Sequence, residues 1–536
     1  MSLYSKPVAM PKKRITFKKS PNGTLYVYYT LRAYRNRNGK PTSDEVAIGK
    51  KDSATGMLIP NKRYFEIFPE QGAGGDVVPA HDLPHRISDF GPVDVLWRVA
   101  GETGLLAVLQ RCFPGKWREM LACSFYMICE GNVMMYMADW FDVTDVPFVE
   151  PFDDRRCAEM FASLTYAERM AFFADWVGRR AEQEYIAYDV TSISTRAMDI
   201  EIAEWGYNRD HDDLPQVNLG MYYGATSSLP VYYTLYSGSI TDKSHLIFML
   251  RNAVSLGIGN VRFVLDRGFV SEDNLRHMKK QGFPFIVPLP SGRVDAANLV
   301  DTYGADIRKS ANRIAEDEIY GKRIDCELYG VTMTAHVFFD PEKQALDEKE
   351  LFSRIERLSA ELTEMDKPRR ITKKYTDYFM VEKEGKTDIR FQRDHGKIDE
   401  RLKRAGYFII LSSDTHLSSD DVIRIYRERD VIEKNFDQLK NALDFKRLHT
   451  HINKTTEGKV FIGFLALIVR SWLLRKIKSN PETKKLTFEK VLLELRKIKA
   501  VTLADHTRVM MPLTKTQKTI LAAIGIDHSI MTASLN

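Results

Sequence analysis

The stretch EYIAYDVTSIS, residues 184–194, decides the fold because it is rich in β-branched and aromatic residues. Two similar runs follow it, LPQVNLGMYYG (residues 214–224) and LPVYYTLYSG (residues 229–238). Runs of this length and composition are typical of buried strands. The pattern predicts three strands joined as hairpins, and these strands would begin a mixed sheet.

Helices and strands alternate beyond these hairpins, which favours a layered α/β core. In chain order, the patterns predict a helix over residues 242–257, a buried strand over 261–269, a helix over 271–282, a strand over 283–290 and, after an interruption, a strand over 406–413. A further helix is expected to begin at Ser418 or Ser419, with two aspartates in its first turn. The predicted fold class is therefore multidomain α/β, with a mixed sheet flanked by helices.

Basic residues are concentrated at the two ends of the 536-residue chain, whose net charge is +6. Residues 1–65 carry 14 Lys and Arg against 3 Asp and Glu, residues 436–536 carry 18 against 8, and the stretch between carries 46 against 61. Basic ends on an acidic body are suited to a polyanion such as nucleic acid, and merely solvated ends are the alternative. Alternating residues and Asn-Gly pairs at 22–23 and 38–39 predict a small antiparallel sheet in the first segment.

Composition argues against several classes of protein. The five cysteines are odd in number and form no CxxC pair, so a disulfide framework or a zinc knuckle is disfavoured and a reducing cytosol is expected. The N-terminus lacks the apolar core of a signal peptide. The longest apolar run, Val460–Val469, is too short to span a bilayer and predicts a buried helix. We therefore expect a cytoplasmic protein without a membrane partner.

The stretch YRERDVIEKNFDQLK, residues 426–440, is rich in charge but keeps apolar residues at helical spacing. At about 100° per residue, one stripe about 60° wide contains Tyr426, Arg429, Glu433 and Lys440. The apolar stripe beside it contains Ile425, Ile432, Phe436, Leu439 and Leu443. The helix would present one carboxylate amid a phenol and two cations, although an ordinary surface pair of Arg429 with Glu433 is the alternative.

Two aspartates occupy unusual positions in predicted strands. Asp189 lies within residues 184–194, and Asp266 ends the apolar run RFVL. A buried carboxylate is costly without a partner, and metal ligation is one solution, whereas a turn or a helix cap is the alternative for either residue alone. Two aspartates on neighbouring strands, together with Glu433 on a packed helix, would form a hard-oxygen cluster suited to Mg²⁺ or Mn²⁺.

Together these motifs resemble bacterial insertion-sequence transposases of the DDE class. The resemblance rests on Asp189 in YDVTS, Asp266 in DRGF, and the signature Tyr426-x2-Arg429-x3-Glu433-x6-Lys440. The segments AEWGYNRD (residues 203–210) and SGSITD (residues 237–242) are also similar to this family. The resemblance spans about residues 90–470. It implies a ribonuclease H-like mixed sheet flanked by helices and interrupted by an α+β insertion domain.

The resemblance implies a cut-and-paste DNA transposase. Such an enzyme binds the terminal inverted repeats of a transposon, cleaves the ends by two-metal-ion hydrolysis through hairpin intermediates, and joins the 3′-OH ends to target DNA. Asp189 would bridge two Mg²⁺ ions, for which Mn²⁺ would substitute, while Asp266 and Glu433 would each hold one. The implied DNA-binding residues are Tyr426, Arg429 and Lys440.

The implied partner is double-stranded DNA, both transposon ends and target, held by a homodimer in a synaptic complex at the bacterial nucleoid. Two alternatives stay open: a domesticated nuclease that cleaves without integrating, and a non-catalytic protein that binds terminal repeats. The presence of all three acids argues against the second alternative.

The patterns and the resemblance divide the chain into six regions. They are a small basic β-rich domain suited to DNA binding (1–75), a helical domain (76–183), the first part of the catalytic core (184–290), the insertion domain (291–405), the second part of the core with the signature helix (406–470), and a basic helical region for DNA contact or dimerisation (471–536).

Two nearby features are expected to be structural. The segment Arg209–Asp213 offers three carboxylates and His211, but its polar sequence before Pro215 is typical of a plain loop. Trp205 is suited to stacking on a base, whereas packing partly buried against the sheet is the commoner outcome for tryptophan.

Overall fold

The computed structural model describes residues 7–21, 23–35, 39–53, 55–68, 84–179, 185–210, 212–224, 227–257, 262–314, 318–364, 371–384, 388–429, 436–527, 529 and 531. The chain forms two compact units, Met1–Ile87 with Val501–Val509 and Ser88–Ala500 with Met510–Asn536. The prediction of a multidomain α/β protein is confirmed, because a large mixed sheet and many helices make up the second unit.

The first unit contains a small antiparallel sheet, as its alternating sequence predicts. Its elements are β1 (Ile15–Lys19), β2 (Leu25–Arg35), β3 (Pro41–Lys51), β4 (Leu58–Pro60) and helix α1 (Lys62–Ile67). Gly23 and Gly39 between the strands have φ of +86° and +73°, a conformation that glycine adopts without steric cost. One face of the sheet packs with Tyr64 of α1 around buried Val27 and Ile48.

A helical region precedes the main sheet, as predicted. After β5 (Pro84–Asp89), its helices are α2 (Gly91–Glu102), α3 (Leu105–Cys112), α4 (Trp117–Glu130), α5 (Met137–Val143), α6 (Asp154–Ser163) and α7 (Tyr166–Gly178). Their apolar faces join one large buried cluster with residues of the main sheet; Leu121 and Trp176 are fully buried in it. Burial of apolar surface stabilises this packing by about 25 cal/mol per Å².

The predicted hairpins and helix–strand alternation are confirmed between residues 185 and 289, except that the strand predicted over residues 261–269 ends at Leu265 and is followed by a 3₁₀ turn, Arg267–Phe269. The elements are β6 (Tyr185–Ser194), β7 (Gln216–Gly224), β8 (Pro230–Ser237), α8 (Asp242–Ser255), β9 (Arg262–Leu265), α9 (Glu272–Lys280) and β10 (Phe285–Leu289). Strand β7 is antiparallel to both β6 and β8, whereas β9 runs parallel to β6 and to β10.

The following segment adds strands to the same sheet. Its elements are α10 (Val294–Ile307), β11 (Arg313–Ile314), β12 (Ile319–Leu328), β13 (Val331–Phe339), α11 (Pro341–Thr363), α12 (Lys373–Thr376), β14 (Phe379–Glu384), β15 (Asp388–Arg393) and α13 (His395–Lys403), followed by β16 (Tyr407–Ser412) and α14 (Ser419–Glu428). Within the described residues, nine strands form the order β11-β12-β13-β16-β10-β9-β6-β7-β8. The boundaries predicted for an insertion domain, residues 291–405, stay a prediction.

The C-terminal part is mainly helical. It comprises a π-helical segment (Gln438–Ala442), α15 (Asn453–Ser479), α16 (Phe488–Arg496), β17 (Lys499–Leu503), β18 (Arg508–Met510) and α17 (Lys515–Ala523). The prediction of a buried helix is confirmed, because every residue of Val460–Val469 is buried in α15. Among the described residues, no helix combines the length and apolar character needed to cross a membrane.

Candidate active site

Two of the predicted site residues lie on neighbouring strands of the main sheet. Strands β6 and β9 pair in parallel, and their last paired residues are Tyr188 and Leu265. Asp189 and Asp266 are the next residue on each chain, and the backbone at Asp266 is extended. Neighbouring strands run about 4.8 Å apart, and side chains at paired positions share one face. We infer that the two carboxylates lie side by side on that face.

Asp189 combines burial with nearby cations. Its Oδ1 accepts a hydrogen bond of 2.8 Å from the backbone N–H of Val190. Loss of hydration on burial raises the pKa of Asp189 to about 6, while that hydrogen bond and the guanidinium groups of Arg429 and Arg209 oppose the rise and Asp266 adds to it. Asp189 is partly exposed, and a carboxylate that is partly desolvated yet anionic at neutral pH is stabilised by a further cation, so the position suits a metal ion.

Helix α14 begins where its sequence predicts. The Oγ of Ser418 accepts a hydrogen bond of 3.1 Å from the backbone N–H of Asp421, and the Asp421 side chain bonds back to Ser418 in a capping box. Its apolar side, including Val422 and Ile425, is buried in a cluster with Ile286 of β10. The helix is thus fixed at both its first turn and its buried face.

The end of α14 brings two signature residues to the second aspartate. Nη1 of Arg429 lies 3.9 Å from Oδ1 of Asp266, and the Arg429 side chain is only 8% exposed. The guanidinium carbon of Arg429 lies 5.5 Å from the ring centre of Tyr426. Tyr426 also lines a cleft of about 440 Å³ together with Arg267, the residue after Asp266. The structure therefore brings four of the predicted residues into one site: Asp189, Asp266, Tyr426 and Arg429.

The predicted third acid, Glu433, lies outside the described residues, as does all of 430–435. Within the part of the chain that the structure describes, no group of three or more His, Cys, Asp or Glu side chains could hold a metal ion. Asp189 and Asp266 supply the hard oxygen donors that Mg²⁺ and Mn²⁺ prefer, so the donors present fit such an ion. The assignment of Glu433 as the remaining ligand stays a prediction.

Lys440, the last signature residue, is engaged within the protein. Its Nζ lies 2.6 Å from Oδ2 of Asp210, and the residue is 7% exposed. Burial lowers the pKa of Lys440, and the hydrogen bond to Asp210 opposes that effect. The pair fastens the π-helical segment to the loop between β6 and β7. Contact of Lys440 with DNA stays a prediction.

The loop expected to be a plain turn is an organised ionic structure. Arg209 pairs with Asp242 at the start of α8, and the Tyr236 hydroxyl donates a hydrogen bond of 2.9 Å to the other Asp242 oxygen. The Arg209 backbone N–H donates to Oγ of Ser192 at 3.1 Å, which holds the loop against β6. Arg209 also lowers the pKa of Asp189, so it is a site residue that sequence reasoning missed.

A second pair strengthens the same loop. Oδ2 of Asp212 accepts hydrogen bonds from Nη1 of Arg447 at 2.6 Å and from Oγ of Ser194 at 3.1 Å. Arg447 holds the pKa of the Asp212 carboxyl below its usual range. The density of acidic residues in this loop is the signal that the sequence offers. Arg447 lies more than two hundred positions later in the chain, so no local pattern identifies it as the partner of Asp212. His211 lies outside the described residues.

Gly206 and Gly238 allow two loops of the site to touch. A Cβ atom at Gly206 would overlap the carbonyl oxygen of Gly238, and one at Gly238 would overlap the carbonyl oxygens of Gln216 and Glu204. Trp205 is 61% exposed, so the expectation that it packs partly buried against the sheet is wrong. Glycine at these positions therefore sets the path of the chain toward Arg209.

The raised pKa of Asp189 predicts a pH-dependent gain in stability for Asp189→Asn in metal-free buffer. The folded protein binds this proton more tightly than the unfolded chain, whose carboxyl keeps its ordinary pKa of 3.8. Ionisation of Asp189 therefore lowers the free energy of unfolding progressively as the pH rises toward 6, and this destabilisation is complete above pH 6. We expect the variant to unfold at a higher temperature at pH 8 with a chelator present, and the gain to shrink toward zero as the pH is lowered to about 4.

Asp399→Asn is the matched control for that measurement, since Asp399 is exposed on α13. We expect this variant to change the unfolding temperature only slightly, and by the same amount at pH 8 and at about pH 4. A melting temperature of Asp189→Asn at pH 8 that equals or falls below that of the unmodified protein would contradict the assigned cost.

Comparison with known proteins places more than half of the chain in a family. Residues 180–469 match the family model described as the transposase DDE domain. Among solved structures, the chain is similar to the piggyBac transposase in a cryo-EM synaptic complex with hairpin DNA. The two share 9% identity at a TM-score of 0.36, with 71% of this chain and 69% of that chain covered. That TM-score is too low to bear on fold or function. No match was found among curated proteins.

Proposed function

Since the chain belongs to the family of transposase DDE domains, we propose that it is a DNA transposase that cuts transposon ends and joins them to target DNA. The observation that carries the proposal is the placement of Asp189 and Asp266 at adjacent positions of two paired parallel strands. Both residues lie within the matched range, 180–469. A partly buried carboxylate beside a second one is a site that needs positive charge, and phosphodiester cleavage needs the same charge for the scissile phosphate.

We propose that Asp189, Asp266 and Glu433 hold two Mg²⁺ ions, for which Mn²⁺ substitutes. When bound, these ions would supply an activated water and charge stabilisation for the leaving 3′ oxygen. Asp189 would serve both ions, and each of the other acids would serve one. The hydrogen bond from Val190 keeps one oxygen of Asp189 fixed, so its second oxygen is available to a cation.

The cations of the site would orient the DNA end. Arg429, within 3.9 Å of Asp266, is suited to a bidentate contact with a phosphate once an ion competes for that aspartate. Tyr426 beside it offers a ring face and a hydroxyl next to the cleft. Arg209 is held by Asp242 near Asp189 and balances the charge of the acids. Lys440 would act through Asp210 or on the DNA itself.

The finer features of the proposed activity follow the resemblance. The strand order β8-β7-β6-β9-β10, with three antiparallel strands and then two strands parallel to β6, supports a ribonuclease H-like core. Hairpin intermediates, recognition of terminal inverted repeats and a homodimeric synaptic complex are part of the proposal. The proposal also includes the division of the chain into six regions, of which residues 1–75 and 471–536 are suited to DNA by their basic character.

The test uses the full-length protein with plasmid DNA that carries the sequences flanking its gene. We expect Mg²⁺-dependent cuts at the outer ends of a pair of inverted repeats, and joined products when a second plasmid is added. Cuts without joined products would instead favour a domesticated nuclease. Binding to the repeats without cuts under any divalent ion would favour a non-catalytic DNA-binding protein and would overturn the proposal.

A further inference from the structure

The hairpin of β2 and β3 extends beyond the sheet of the first unit. Strand β1 pairs with residues 25–29 of β2, and β4 pairs with residues 49–51 of β3. Beyond these pairs, and among the described residues, residues 32–35 of β2 pair with residues 41–44 of β3, with Arg32 opposite Asp44. Residues 31–35 and 39–44 are all exposed. These residues, 31–35 and 39–44, form a two-stranded extension with solvent on both faces, here called the ribbon.

Core packing does not explain the ribbon. An isolated two-stranded hairpin is marginally stable in water, and a pair of strands ordinarily gains stability by covering an apolar face. The ribbon covers none among its described residues, and it leaves Leu31 54% and Tyr34 40% exposed. An element that projects from a sheet without a core of its own is suited to insertion into a partner.

The chemistry of the ribbon indicates what that partner is. Because side chains alternate along a strand, Arg32 lies on one face and Arg35 on the other, so each face carries a guanidinium group. Arg32 lies 5.8 Å from the ring centre of Tyr34 on its own face. The nearby acid, Asp44, accepts a hydrogen bond of 3.2 Å from the Tyr34 hydroxyl. With Lys40 exposed as well, cations prevail along the ribbon.

We propose that the ribbon enters the major groove of double-stranded DNA. That groove is about 12 Å wide and admits a two-stranded β-ribbon, whereas the deep, narrow major groove of RNA duplexes does not. Guanidinium groups on both faces would reach the phosphates on both sides of the groove, as well as guanine edges between them. The inference rests on the proposed function for its DNA partner, and it assigns the groove, the element and the residues.

The experiment compares two double variants of the full-length chain that remove equal charge. Arg32→Ala/Arg35→Ala alters the ribbon, and Lys62→Ala/Arg63→Ala alters exposed cations on α1 of the same unit. Binding of a fluorescent 30-base-pair duplex is measured by anisotropy over a range of salt concentrations. We expect the ribbon variant to bind about 10- to 100-fold more weakly near 0.1 M salt, with a slope of log K against log[salt] shallower by about 1.8. The α1 variant, whose cations lie off the ribbon, should lose less affinity than the ribbon variant and show a smaller change of slope.

Circular dichroism and unfolding temperature should be unchanged in both variants, because all four side chains are exposed. Equal affinities and slopes for the two variants would overturn the ribbon's role, even if the protein cuts and joins DNA. So would a change of oligomeric state confined to the ribbon variant with DNA affinity intact, since the ribbon would then be a protein contact. If the ribbon variant binds DNA more weakly but the unmodified protein never cuts DNA, the result would support the role of the ribbon in binding and would refute the proposed transposase activity.

Discussion

Alanine in place of Asp189 or Asp266 is expected to abolish metal-dependent DNA cleavage, with DNA binding preserved. Removing a residue that only hydrogen-bonds to a metal ligand costs about 10- to 100-fold in metal affinity or activity. Removing a ligand itself should therefore lower the cleavage rate by more than about 100-fold. Asp189 on β6 and Asp266 directly after β9 are neighbours, and either substitution would remove one of the proposed ligands from the set. We expect the same loss for Glu433→Ala if Glu433 completes the set.

The measurement follows cleavage of a labelled terminal-repeat duplex with saturating Mg²⁺, alongside binding of the same duplex. The control is Asp399→Asn, a carboxylate removed from an exposed position of α13. Asp437→Asn is a second comparison, because Asp437 is another carboxylate within the stretch 426–440 and lies close to the stripe that contains Glu433. Near-normal cleavage by the Asp189 or Asp266 variant would show that the paired aspartates are not the metal ligands.

Gly238→Ala is expected to reduce both stability and activity. The added methyl group would meet the backbone oxygens of Gln216 and Glu204, and backbone cannot yield as a flexible side chain can. Overpacking of this kind costs about 1–3 kcal/mol. The displaced segment leads directly to Arg209, and a shift of about 1 Å at a catalytic site costs about 100-fold in rate. We therefore expect a lower urea midpoint and a cleavage rate reduced by one to two orders of magnitude.

Gly115→Ala is the matched control, because nothing lies within 4 Å of a Cβ atom at Gly115. Its urea midpoint and its cleavage rate should both stay close to those of the unmodified protein. If Gly238→Ala behaved in the same way, the contact between the two loops would not fix the position of Arg209.

The elements that could be predicted from the sequence are those that local patterns encode. Strands β6, β7 and β8 follow from runs of aromatic and β-branched residues, and the start of α14 follows from Ser418 with its acidic first turn. Placing Asp189 in one strand and Asp266 at the end of another follows from these local patterns, since side-chain direction in a strand depends on position alone. The pairing of β6 with β9, which β7, β8 and α8 separate along the chain, is tertiary and is not encoded locally.

The remainder of the site depends on pairs of residues that are far apart in the chain. Asp210 and Lys440, like Asp212 and Arg447, meet only when the loop after β6 folds against the segment after α14. Periodicity reports which residues share a face of one element, and it contains no information about which distant charge will oppose them. For the same reason, the addition of β11–β13 to the main sheet did not follow from their alternating sequences.

Strands β10 and β16 have the geometry of an ordinary hairpin, with Leu289 opposite Ile409 and Ile286 opposite Ser412. The connection between them runs from residue 290 to residue 406, where a simple hairpin would need a short turn. Loop-closure entropy grows only logarithmically, by about 0.6 kcal/mol for each doubling of length. Evolution could therefore lengthen, shorten or exchange this connection without unpairing the two strands. The segment between these two strands can therefore change while the strands that carry Asp189 and precede Asp266 keep their pairing.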